Sequence, residues 1–580
     1  MTPRRRGAAG RGAGSASSQR GDVSRTYGRR TILKAGAGGG FALATAAGGG
    51  SLLAACGSAA AGTGPTTSSP GPSGVTDHRP ARRGGAVTIG TWSEVNGLSP
   101  PTARWDATGY LYGNALFDTL VQIGADGRPH PYLAKSFSPS PDHSVWTFEL
   151  RPGVEFHNGE ACDAAAVVNS LEAVRSGLVT SATLKSVEKI QAVGAMTVRI
   201  TLSQPWTAFP SYLAGQIGYI CAPAMLRSQD EGALHPIGTG PFLFEQWVPN
   251  TELSTRANPR YWQPGYPYLD ALYFKPIPDN AEREDALVSG TIDLMHCQAP
   301  QNIKPFFGNG RFQVILGEPP PRAEPDVDFI MLNLDSPPLD DLLVRQALAR
   351  ATNRTVLRET YGQGLTEIIS GPFVPGEIWY AASGYPGFDP KGARRLVEEY
   401  RKKTGSAPAV KLSTIAGGDY AEVVQILQQQ WENVGVRTSV VQQDFTAFLT
   451  DAVVGTYQAC TFEQFGATDP DQNYIWWSTD TYAKVGSVSL NMARNRDRRI
   501  QRALNTGRES TDIQERVQAY QDVSRYLAED LPYLWLGKTY WAAVAAADVV
   551  GVTGQILPGG VKSIGFDNGA FLVHELALTN

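Results

Sequence analysis

The sequence predicts an α/β protein of two or three domains, and three stretches carry that prediction. Phe329-Ile330-Met331-Leu332-Asn333-Leu334 is a nearly continuous apolar run, the pattern of a strand covered on both faces; a helix follows from about Asp340 through Val344, Ala347 and Ala351. Val423, Ile426, Leu427, Trp431 and Val434 recur at helical spacing, Gly435 stops that helix, and Val436 to Val441 returns as a strand. Val145 to Leu150 alternates, with Trp146, Phe148 and Leu150 on one face, and Asp163 then caps a helix carrying Val167, Val168, Leu171 and Val174. Strand and helix alternating in this way predict lobes with largely parallel sheets.

Residues 1–55 stand apart from that pattern. Arg29-Arg30-Thr31-Ile32-Leu33-Lys34 leads into a Gly/Ala-rich apolar run that ends at Leu53-Ala54-Ala55-Cys56. Paired arginines, a soft apolar middle and small residues before a cysteine read as an export signal. The first half resembles a twin-arginine signal, with Arg29 and Arg30 as its head, and the second a bacterial lipobox, with Cys56 lipidated and left as the mature N-terminus. Acyl burial contributes roughly 0.8 kcal/mol per methylene, so two or more chains anchor stably where one is marginal. A membrane-spanning helix fits less well, since the run is rich in glycine and Lys34 interrupts it. From Gly57 to about Arg83 the chain is Gly, Ser, Thr, Pro and Ala, too poor in apolar surface to offset its ordering entropy, and reads as a tether of roughly 25 residues.

The leader holds nine of the 51 Lys/Arg but only Asp22 of the 55 acids, which leaves 42 bases, 54 acids and a mature net charge of −12. That balance argues against nucleic acid or an anionic surface as partner. Besides Cys56, the cysteines are Cys162, Cys221, Cys297 and Cys460, widely spaced and without a Cys-x-x-Cys pair; both disulfides and buried thiols fit.

Structure begins near Gly85. Ala86 to Gly90 reads as a strand, and Trp92 to Pro100 as the loop beyond it. Gly238-Thr239-Gly240-Pro241 lacks the third glycine of a nucleotide loop and reads as a tight crossover, and His157 as a structural residue of a hairpin. Asp279 to Gly290 is a helix with a solvated acidic face, and Asp389-Pro390 opens another, aspartate capping and proline in the first turn.

Enzymatic readings find no support. No Gly-x-Ser-x-Gly occurs, His574-Glu575 is not followed by a second zinc histidine, and Gly537-Lys538-Thr539 lacks the upstream glycine of a phosphate loop. The seven histidines are scattered without metal-ligand spacing, so no metal and no cofactor is expected.

Taken together, Tyr132-Leu133-Ala134-Lys135-Ser136-Phe137, the block from Trp146 to Gly159, Gly238-Thr239-Gly240-Pro241-Phe242, Val344-Arg345-Gln346-Ala347-Leu348 and Asp389-Pro390 resemble the signature blocks of bacterial extracellular solute-binding proteins of family 5, collinear over about residues 84–550. These are receptors of peptide/nickel-type ABC importers. The resemblance implies a periplasmic-binding-protein type II fold, two α/β lobes with an extra inserted domain (cluster C-like). Lobe I would comprise 84–112, 235–325 and 534–580, the inserted domain 113–234, and lobe II 326–533, preceded by the signal peptide (1–55) and linker (56–83). It further implies a non-enzymatic monomer on the extracytoplasmic face of the membrane that captures a small-molecule or peptide ligand between lobes and delivers it to permease subunits. A surface sensor without a transporter is the first alternative, and a secreted hydrolase the remote second.

Pocket residues are expected where strands end at the cleft. Two stretches qualify: the loop with Trp92, Glu94 and Asn96, and the segment with Glu463, Gln464, Phe465 and Asp469, followed by Trp476 and Trp477. Carboxylates and amides fix polar ends of a ligand, and aromatics cover its apolar or planar parts. Peptide-binding relatives hold a free amino terminus with an aspartate where this chain has Gly466. The departure points away from free di- or oligopeptides and leaves modified peptides, sugars, opine-like compounds and metal chelates open.

Overall fold

The computed structural model describes residues 80–177, 180–317, 326–416, 420–464, 466–539 and 541–579. The export signal with Arg29 and Arg30, the lipobox with Cys56, the tether up to residue 79, and Phe465 lie outside the described residues. Two mixed sheets organise the rest. The first has seven strands, in the order Phe312–Leu316, Ala542–Ala546, Leu294–Cys297, Ala86–Thr91, Ala271–Pro276, Glu252–Ala257 and Phe242–Val248. Ala86–Thr91 is parallel to both its neighbours, and every other pairing is antiparallel. The second has five strands, ordered Arg437–Gln443, Ala409–Ile415, Ala459–Gln464, Asp326–Leu332 and Tyr533–Thr539, with Ala409–Ile415 parallel to both neighbours.

The sheets are therefore mixed rather than largely parallel. Phe242–Val248, Glu252–Ala257 and Ala271–Pro276 follow one another as an antiparallel meander, which short connections permit, whereas parallel pairs need long crossovers. Val145–Leu150 likewise sits in an antiparallel four-stranded sheet, ordered Ala134–Pro139, Val145–Leu150, Thr197–Leu202 and Val187–Gly194. All four strands fall within 113–234. The helix Ala107–Leu116 runs through 113, and Tyr533–Thr539 pairs with Asp326–Leu332, so it extends the second sheet beyond 533.

Local chemistry sets these elements. Asp163, Asp389 and Asp279 accept backbone N–H groups of the first turns of their helices, with Pro390 in the first turn after Asp389. Along Asp326–Leu332, Phe329 and Met331 pack into one core while Ile330 and Leu332 pack into another on the opposite face, which is why the run is apolar throughout. A single core joins the seven-stranded sheet to the inserted sheet through Val87, Phe148 and Phe571. The Gly238–Gly240 crossover lies on the end of the helix Ala107–Leu116. A Cβ at Gly238 would stand 2.1 Å from the Leu116 carbonyl oxygen, so the backbones meet where only glycine fits.

Beside this crossover Asp118 is buried and accepts from Thr239 Oγ1 (2.9 Å), Tyr261 OH (3.0 Å) and Trp262 Nε1 (2.9 Å). Cys162, Cys221 and Cys460 are buried as thiols, and Cys297 is buried as well. No helix among the described residues is long and apolar enough to cross a membrane.

Candidate functional site

A cavity of about 600 Å³ lies between the two sheets. One wall comes from the loop and helix after Ala86–Thr91 and from the inserted domain, including Trp92, Arg104, Trp105 and Tyr212; the other comes from the end of Ala459–Gln464 and the turns beyond it, including Glu463, Gln464, Asn473 and Trp476. Trp541, between the last strands of the two sheets, completes the enclosure. Strand ends supply the polar groups, as expected where a sheet's edge opens to a cleft.

Glu463 is the acidic end. Its Oε2 accepts from Gln298 Nε2 at 2.7 Å, a hydrogen bond between the two walls, and lies 3.3 Å from Tyr420 OH. Tyr420 has one hydroxyl proton and sits 2.5 Å from Asp328 Oδ1, so that proton is committed to Asp328. Burial, then the charges of Asp328 and Glu463, push the Tyr420 phenol well above its usual range and keep it protonated. Three buried polar atoms on residues of the cavity wall have no partner among the described residues: Trp92 Nε1, Gln298 Oε1 and Gln464 Oε1. Such atoms cost free energy unless something hydrogen-bonds them, and a ligand's polar groups would do so.

The aromatic walls are braced from behind. Trp92 lies 5.9 Å from Trp541, which in turn stacks face to face on buried His296 at 4.6 Å. His296 Nε2 lies 2.7 Å from the Gly569 carbonyl oxygen, and burial pushes the ring down to about 3, so it is neutral when it accepts the stack. Asp106, at the start of the helix Ala107–Leu116, caps it through Thr108 and Gly109 and takes Ser93 Oγ at 2.5 Å; burial nonetheless raises its pKa.

Of the residues expected from the strand-end reading, Trp92, Glu463, Gln464 and Trp476 line the cavity. The other described ones are placed elsewhere. Glu94 accepts the backbone N–H groups of Val95 (2.8 Å) and Asn250 (2.6 Å), tying its loop to a neighbouring turn. Asn96 is exposed, and its Oδ1 accepts the Arg104 N–H at 2.9 Å, so it braces the loop that carries Arg104. Asp469 is buried in an ion pair with Arg516 at 2.7 Å, and Trp477 packs in the core near Phe373. Arg104, Trp105, Tyr212, Gln298 and Trp541 were not anticipated. Gln298 follows Leu294–Cys297, a strand parallel to Ala86–Thr91, so the strand-end rule applied to that neighbour would have found it. For Tyr212 the sequence carries no comparable signal.

The described residues hold no group of three or more His, Cys, Asp and Glu side chains able to bind a metal ion. The arrangement is suited to enclosing a solute with polar ends and an apolar or planar body. Comparison with known proteins agrees with that architecture. Residues 128–485 match the family model "Bacterial extracellular solute-binding proteins, family 5 Middle". The chain belongs to this family. As a member it is an extracytoplasmic substrate-binding component of ABC-type import, and its relatives are solute-binding proteins rather than enzymes.

Among the relatives of this solute-binding protein is the glutathione-binding protein GsiB of Pectobacterium atrosepticum, 27% identical over 471 residues, which span 78% of this chain and 88% of GsiB. Among solved structures, the Agrobacterium protein AgaA in complex with agropinic acid superposes with a TM-score of 0.74 at 24% identity, covering 86% of this chain and 99% of AgaA. DppA from Helicobacter pylori in complex with the peptide STSA gives 0.74 at 22% identity, covering 86% and 99%. At these identities the likeness shows the fold alone.

Proposed function

We propose that the receptor is lipid-anchored through Cys56 after export under the Arg29-Arg30 signal, acts as a monomer, and closes its two lobes around an amphoteric, amino-acid-derived solute before docking on a membrane permease. The observation that carries this reading is the cavity of about 600 Å³ walled from both sheets, with Glu463 on one wall and Arg104 on the other. A carboxylate on the cavity wall favours a ligand cation, and a guanidinium favours a ligand acid. The aromatic rings cover what lies between. Neutral sugars satisfy neither charged group. Modified peptides and opine-like compounds satisfy both, in keeping with relatives named for glutathione and agropinic acid.

Mass spectrometry of the soluble chain from Gly57, which lacks the anchor cysteine, should show under native conditions a co-purified small molecule with both an acid and an amine, and adding it should raise the melting temperature. Glu463→Gln keeps shape and removes the charge, so affinity for that solute should fall about tenfold or more. Saturable binding of a neutral sugar, with Glu463→Gln unaffected, would refute the assignment. Cys56→Ala should release the protein from the membrane fraction; continued retention would count against lipidation.

A further inference from the structure

At the edge of the cavity, the inserted domain is fastened to the second lobe by a buried polar cluster. Trp206 is rooted in the inserted domain: its backbone N–H donates to the His143 carbonyl at 3.1 Å, and its carbonyl accepts from Trp146 Nε1 at 3.2 Å. Its indole nevertheless crosses to the other lobe, where Nε1 donates to Asp471 Oδ2 at 2.5 Å. Tyr212 OH donates to the Asp471 carbonyl and accepts from Arg508 Nη2 at 3.2 Å. Thr207 adds two contacts, its N–H to the Arg508 carbonyl at 3.0 Å and its Oγ1 to the Ser510 carbonyl at 2.9 Å.

The receiving side is rigid by itself. Arg508 grips both Asp471 carboxylate oxygens, at 2.9 and 3.1 Å, and its guanidinium lies 3.6 Å from the Tyr474 ring centroid and 4.3 Å from that of Trp206. Behind it, Arg516 ties Asp469 to the Gly507 carbonyl. Trp206 and the Asp471 side chain are both fully buried, so separating the lobes would bring both into water.

We infer that Trp206, Thr207 and Tyr212 form a latch on Asp471 and Arg508 that favours the closed arrangement of the lobes independently of the solute. Gln472 and Asn473 of the cavity wall follow Asp471 directly in sequence, and Tyr212 is itself in the opposite wall, so the latch also sets how both walls face the ligand. Its consequence for binding is a population effect. Apparent affinity equals the affinity of the closed form scaled by the fraction already closed, and the latch raises that fraction.

The test needs no solute. X-ray scattering of the soluble chain from Gly57, alone in buffer, is compared for the wild type, Trp206→Phe, Thr207→Val and a control, Trp431→Phe. Trp206→Phe keeps a ring against Phe209 and removes the donor to Asp471 together with part of the indole's buried surface, leaving the pair of Asp471 with Arg508 in place. Loss of one hydrogen bond to a charged group should raise the open-to-closed ratio about tenfold, read as a larger radius of gyration. Thr207→Val should shift it in the same direction by less. Trp431→Phe removes an indole donor to Thr352 Oγ1 within the second lobe, and should leave compaction unchanged. Unchanged scattering of Trp206→Phe, folded by circular dichroism, overturns the latch; should that variant fail to fold, unchanged scattering of Thr207→Val does so. Equal expansion of the Trp431→Phe control overturns it too. The result is independent of whether a solute is ever found, so it separates failure of the latch from failure of the transport reading.

Discussion

Arg508→Met is expected to lower the unfolding free energy by about 3–5 kcal/mol, the cost of leaving one member of a buried ion pair without the other. The Arg508 and Asp471 side chains are 6% and 0% exposed, so the Asp471 carboxylate cannot turn to water when its partner is removed. It would keep Trp206 Nε1 and, at 3.3 Å, Tyr520 OH, two donors in place of four. Methionine fills the channel between Trp206 and Tyr474 but donates nothing. Neutralising the carboxylate as well, in Arg508→Met with Asp471→Asn, should restore part of the loss, because the penalty lies in the stranded charge. Urea unfolding at pH 7 in reducing buffer measures both variants. A loss below about 1 kcal/mol for the single variant would contradict the assignment.

Stability is also expected to fall steeply as pH drops from 7 to 4.5. His296 and His574 are buried and His157 is half-buried, and the loss of water around them pushes His157, His296 and His574 down to about 4, 3 and 3 from an ordinary 6.5. Between 6.5 and those values the unfolded chain takes up protons that the folded chain refuses. The stability they contribute is thus fully present above 6.5 and is lost on acidification, roughly 8 kcal/mol for the three together by pH 4.5. Asp118 acts with the opposite sign. Burial raises it from 3.8 to about 7, despite the opposing hydrogen bonds from Trp262, Thr239 and Tyr261. Its contribution is present below 3.8 and is lost as pH rises through 7, so acidification to 4.5 restores roughly 3 kcal/mol.

Asp118→Asn separates the two. The amide oxygen can accept from Trp262 and Thr239 while its N–H donates to Tyr261 OH, so the geometry is retained and the titration is gone. Its acid limb should be steeper than the wild type's by roughly 3 kcal/mol over the same window. Chemical unfolding at pH 7, 6, 5 and 4.5 gives both profiles. A flat wild-type profile would rule out the neutral histidines, and parallel profiles would rule out the raised aspartate.

Elements whose cause is local were legible from the sequence. Phe329 to Leu332 reads as a doubly covered strand because alternate residues enter two different cores, and Asp163 and Asp389 mark helix starts because their carboxylates take the first free N–H groups. Strand direction was less legible, since an alternating pattern is the same in a parallel and an antiparallel pair. The cavity was legible only where it follows a strand end, as at Trp92 and Glu463. Asp469 shows the limit most clearly. A carboxylate in a loop next to Glu463 has the composition of a ligand contact, but Arg516, on a later helix, claims it. Tyr212 and Trp541 reach the cavity through lobe packing, which no local pattern encodes.

The buried thiols have a consequence for the lifetime of the receptor outside the cell. Burial pushes Cys221 up to about 12 and drives Cys162 and Cys460 upward as well, so in the folded chain almost no thiolate exists to attack a disulfide or be oxidised. Unfolding returns each to its ordinary acidity in an oxidising medium, where exchange and cross-linking proceed within minutes to hours. A pairing made then has no counterpart in the folded chain, where Cys162, Cys221 and Cys460 are buried as thiols, and blocks the way back. An opening that outlasts this chemistry is thereby a one-way event, and the time that a single molecule remains in service depends on how often and for how long it unfolds.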